Sequence, residues 1–88
     1  MEELKQLRQD IQKIDEQMQD LFVKRMECVL KIKEIKLKNH LPITQSEIEK
    51  QKKERLLQCL KNKNIEKEYL DFFDKILDLS KQIQNKGD

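Results

Sequence analysis

The chain has 88 residues, 41% charged and 36% apolar, with one Gly and one Pro. That is one domain at most, too poor in turn formers, aromatics and β-branched runs for a sheet, and rich in the Lys, Glu, Gln, Leu and Ile that favour helix. The 19 basic and 17 acidic residues alternate and leave a net charge of only +2, which argues against a nucleic-acid interface and reads as solvated helix faces.

From Leu4 the apolar residues recur with a heptad period: Leu4, Leu7, Ile11, Ile14, Met18, Leu21, then Arg25, Cys28, Ile32 and Ile35. No Gly or Pro interrupts them, so one helix is expected from about residue 3 to residue 38. Asn39-His40-Leu41-Pro42 ends it, and the residue before Pro is pushed out of the α region. Thr44 and Ser46 both offer N-caps for a second helix, with Glu47 and Glu49 at capping-box spacing. That helix is expected to reach about Lys61. Asn62-Lys63-Asn64 is a break, and Asn64 is placed to cap a third helix, whose buried stripe is Tyr69, Phe72, Phe73, Ile76, Leu77, Leu79 and Ile83.

Some 35 residues of helix span about 50 Å, whereas a compact domain of this length is about 30 Å across. Two shorter helices cannot cover such a rod, so its seam calls for a second copy of the chain in a symmetric pairing. A long coiled-coil rod without a pocket satisfies the same periodicity.

Polar residues in apolar positions point beyond a rod. Arg25 interrupts the seam, where an unpartnered guanidinium is costly; it either sets helix register or faces a cavity that takes an anion. Lys36 lies beside the same seam, eleven residues and about 16 Å further on. Arg8 flanks it too, but about 25 Å before Arg25. If two copies cross antiparallel around Met18 to Asp20, Arg8 of the partner subunit falls opposite about residue 30, between Arg25 and Lys36. On the third helix Ser80 interrupts the stripe and Gln84 follows one turn later. Taken singly, Ser80 reads as a hydroxyl bonded to backbone, Gln84 as a surface residue and Glu49 as part of a cap.

Together these positions resemble the all-helical chorismate mutases. The resemblance is carried by Leu7-Arg8-Gln9-Asp10-Ile11-Gln12-Lys13-Ile14-Asp15, by Leu21-Phe22-Val23-Lys24-Arg25-Met26, by Ile32-Lys33-Glu34-Ile35-Lys36, by the loop Leu41-Pro42-Ile43 with the helix start after it, and by Ser80 with Gln84 at i+4. It covers about residues 4 to 84. It implies an all-α, three-helix subunit in an intertwined antiparallel homodimer. The implied reaction is the rearrangement of chorismate to prephenate in aromatic amino-acid biosynthesis, the shikimate pathway, without cofactor or metal. The resemblance further implies that Arg25 and Arg8 of the partner subunit hold the substrate's carboxylates. Lys36 would meet a carboxylate and the ether oxygen, Gln84 the same ether oxygen, Glu49 the ring hydroxyl and Ser80 a carboxylate.

Two positions depart from the family pattern. Ile48 stands where Arg is usual, which removes a positive charge from the mouth of the site and bears on affinity more than on reaction class. Gln45 stands where Asp is frequent, a small change if that substrate contact is made through backbone. Two other functions fit the same residues: an isochorismate-pyruvate lyase of the same fold, and a non-catalytic helical interaction module in which the cations only set register.

Cys28, Cys59 and the single His40 match no metal-ligand spacing, and two unclustered cysteines suit a reducing compartment. The chain begins with charged residues and carries no apolar run of about 20 residues. A cytoplasmic protein with no membrane partner is therefore expected.

Overall fold

The computed structural model describes residues 1–41 and 46–86. Three α-helices make up the fold: α1 (Glu2–Lys38), α2 (Ser46–Cys59) and α3 (Glu66–Asn85). A 3-10 turn at Lys63–Ile65 leads into α3. No strand is present among the described residues.

Helix α1 is 37 residues long, and the molecule measures 57 × 28 × 16 Å. Its radius of gyration is 16.6 Å, against about 12 Å for a compact chain of this length. Glu2 and Glu3 in the first turn and Lys36 and Lys38 in the last complement the helix dipole. The helix closes in a Schellman arrangement: the Leu41 N–H donates to the Lys36 carbonyl at 2.8 Å and the His40 N–H to the Leu37 carbonyl at 3.3 Å. This requires a left-handed residue at His40, whose φ is 57°. Glycine is the usual occupant, and histidine is among the few other residues enriched there. The Asn39 side chain adds a bond from Nδ2 to the Ile35 carbonyl at 2.8 Å.

Helix α2 ends at Cys59, two residues before the expected Lys61. The Lys63 ammonium donates to the Leu57 carbonyl near the helix C-terminus, and that carbonyl also accepts from the Leu60 N–H at 3.3 Å. Asn64 does not cap α3. The cap belongs to the 3-10 turn instead: Asn62 Oδ1 accepts from the Asn64 N–H at 3.1 Å, and Ile65 is the N-cap of α3. The expected Thr44 cap lies outside the described residues, and Ser46 is the first residue of α2.

Helix α3 is the strongly amphipathic element and packs against both α1 and α2. It buries Phe73, Leu77 and Ser80, at i, i+4 and i+7. The face of α1 that meets it is Met26, Val29 and Lys33, one position away from the heptad seam. The seam itself points outward: Leu7, Ile11, Leu21 and Ile35 each keep more than half of their surface exposed. An apolar stripe from Leu4 to Ile35 therefore runs about 46 Å along one side of the chain. At about 25 cal/mol per Å² of apolar surface, covering it is worth far more than any single contact inside the subunit. No helix of the described residues is long and apolar enough to cross a membrane.

Candidate active site

The directions of the helices decide which polar residues meet. Early residues of α3 (Tyr69, Phe72) line one groove with Met18 and Phe22 of α1, whereas Ser80 meets Arg25 and Met26. Helix α3 thus runs alongside α1 in the same direction, so Gln84 lies one turn beyond Ser80, toward the Lys33 and Lys36 end. Helix α2 runs the opposite way: Glu49 pairs with Lys81, and Lys53 with Asp74. The first turn of α2, the last turns of α3 and the C-terminal half of α1 converge at one end of the molecule.

Arg25 is the anchor of this region. Its Nη1 donates to Ser80 Oγ at 2.5 Å, and its guanidinium carbon lies 5.7 Å from the centroid of the Phe73 ring. A planar cation over a ring face is a cation–π arrangement, and it fixes the side chain without using its other donors. Arg25 is half-buried and lines the groove between α1 and α3, whose volume is about 700 Å³. Tyr69, Phe72, Phe73 and Ile76 form the apolar wall of that groove.

Ser80, 8% exposed, donates to the Ile76 carbonyl at 2.7 Å while accepting from Arg25. The backbone bond read from sequence is therefore present, and so is the contact to the candidate cation. Gln84 is half-buried on the same helix. Glu49, with 28% of its side chain exposed, faces the Lys81 ammonium at 3.4 Å. Lys36 is half-buried near the end of α1, where the Schellman arrangement holds its backbone.

Lys36, Glu49 and Gln84 lie toward the same end of the molecule but do not line the groove at Arg25, and two further expected residues stand apart altogether. Arg8 is exposed in the N-terminal half of α1, 17 residues and about 25 Å before Arg25; nothing in one subunit brings it nearer. Gln45 lies outside the described residues.

Three further residues beside these positions were not among those expected from sequence. Lys33 is a cation only 8% exposed on the α1 face that meets α3, one turn before Lys36. Lys81 faces Glu49 across α2 and α3, and Phe73 supports Arg25. Phe73 was legible as core. Lys33 and Lys81 are single lysines among many, and only the register between helices distinguishes them.

The arrangement can hold an anion. Arg25, Lys33 and Lys36 lie along α1, hydroxyl and amide groups of α3 lie beside them, and a carboxylate on α2 can accept from a hydroxyl. Among the described residues no group of three or more His, Cys, Asp or Glu could hold a metal ion. The family model for chorismate mutase type II matches residues 7–85. The chain belongs to that family. Comparison with curated proteins and with solved structures gave no match. The chorismate mutase type II match takes in all of α2 and α3 and most of α1, so Arg8, Arg25, Lys36, Glu49, Ser80 and Gln84 all fall inside it.

Proposed function

We propose that this chain is a chorismate mutase, rearranging chorismate to prephenate as an antiparallel homodimer in the cytoplasm. The observation that carries the reading is Arg25, a half-buried guanidinium held by Phe73 and by one neutral hydroxyl. Its remaining donors suit a carboxylate, which a planar fork binds better than an ammonium does.

In this reaction the bond between the ether oxygen and the ring carbon breaks while the enolpyruvyl methylene forms a carbon–carbon bond across the ring. Six electrons move around one cycle and no proton is transferred. The protein must fold the dianion into a chair and stabilise the negative charge that grows on the ether oxygen, which is catalysis by positioning and preorganised electrostatics. Arg25 and Arg8 of the partner subunit hold the two carboxylates, with Ser80 assisting at one. Lys36 and Gln84 donate to the ether oxygen, and Glu49 accepts from the ring hydroxyl. Gln45 completes the set of substrate-binding residues.

Purified protein should consume chorismate, followed by its absorbance, with prephenate as the product. Release of pyruvate from isochorismate instead would make the chain a lyase. No conversion of either compound by a folded dimer would leave a helical interaction module.

The exposed α1 stripe supports the dimer, and the distance from Arg8 to Arg25 supports a shared site. Arg8→Ala and Lys36→Ala proteins, each inactive alone, should regain part of the activity when mixed and refolded, because a heterodimer would contain one site lacking both substitutions. Heterodimers shown to form without any recovery would overturn the shared site.

A further inference from the structure

The Glu49–Lys81 pair has no evident structural purpose. About half of the Lys81 side chain is exposed, and ion pairs in that setting contribute little to folding. Lys53 with Asp74 already ties α2 to α3 on the same side. Position also sets Lys81 apart from the other surface lysines: it follows Ser80 directly and precedes Gln84 by one turn.

We infer that Lys81 supplies the cation at the mouth of the site and sets its affinity for the dianionic substrate, an inference that rests on the mutase reading above. A carboxylate at Glu49 that accepts from the ring hydroxyl also repels a ligand carrying two carboxylates. An ammonium 3.4 Å from that carboxylate offsets the repulsion and keeps the oxygen oriented. The ring hydroxyl bonded to Glu49 is neutral, so the charges that Lys81 attracts are the ligand's two carboxylates, deeper in the site. Over that longer separation opposite charges still attract, and salt screens the attraction. Helix α2 does not provide this charge from the position before Glu49, because Ile48 is apolar and 42% exposed. Lys81 reaches the same carboxylate from α3 instead. It acts on substrate capture and not on the breaking bond, so its removal should change KM and leave kcat.

The test is steady-state kinetics with chorismate on the full-length dimer, at low and high salt, for the wild type, Lys81→Ala, Lys81→Arg and the double variant Lys81→Ala/Ile48→Arg. Thermal midpoints should be alike, since the pair is partly exposed. Lys81→Ala should raise KM by about two- to fivefold with kcat unchanged, the scale of a partly exposed charge interaction. The difference should narrow as salt rises. Lys81→Arg should keep the wild-type KM, and the double variant should recover most of it. An unchanged KM in Lys81→Ala, or an equal rise in Lys81→Arg, overturns the inference while wild-type turnover leaves the mutase reading standing. A wild type without chorismate turnover removes both.

Discussion

Lys36→Ala should lower kcat by about 10²–10³-fold, the cost of losing one donor to a developing oxyanion, and leave the protein folded. The size of the effect follows from where Lys36 stands. Its backbone is locked by the bond from Leu41 to its carbonyl, and its side chain is half-buried at the converging end of the three helices. A donor on a fixed backbone is the kind of group that can meet charge as it gathers on an ether oxygen. Alanine is at least as good a helix former as lysine, so the substitution should barely move the thermal midpoint. Lys36→Arg keeps the charge, but its wide planar fork does not place a donor at the same point, and it should recover only part of the rate. The loss should appear in kcat under saturating chorismate. A near-normal kcat in Lys36→Ala would assign the ether oxygen to another group, with Lys33, one turn earlier and almost fully buried, next to be replaced.

Much of the architecture was legible because local and periodic signals agreed. An uninterrupted heptad pattern gave α1 to within a residue of its observed ends, and the apolar stripe identified α3. The ends of the elements were harder to place where chemistry is carried by unmarked residues. His40 takes the left-handed turn that glycine usually signals, and Lys63 closes α2 from beyond the helix. The side chain that caps is Asn62, and what it caps is the short 3-10 turn that lets Ile65 start α3. Within the site, Arg25 and Ser80 were visible as polar residues in apolar patterns, and the structure brings them together. Lys33 and Lys81 break no pattern. Their significance depends on α3 running with α1 and against α2, a relation between elements that no local window contains.

Arg25→Leu separates the catalytic reading from a structural one more sharply than any other single change. Arg25 occupies a heptad position in the seam, and leucine there extends the apolar stripe on both sides, between Leu21 and Cys28. Replacing a charged group in such a setting with a well-packed apolar side chain is often neutral or stabilising by about 1–4 kcal/mol. Ser80 is not orphaned by the change, because it keeps its bond to the Ile76 carbonyl. The protein should therefore melt at the same temperature or higher. Turnover should nevertheless fall, with kcat/KM down by two to three orders of magnitude, about the effect of deleting one partner of a desolvated, hydrogen-bonded charge pair. Arg25→Lys should fall between the two, retaining the charge without the bidentate geometry or the stacking on Phe73. If Arg25 only set register, Arg25→Leu would gain stability and keep full activity. A protein that becomes more stable as it loses turnover would show that the polar residue in the seam is retained for the anion it binds.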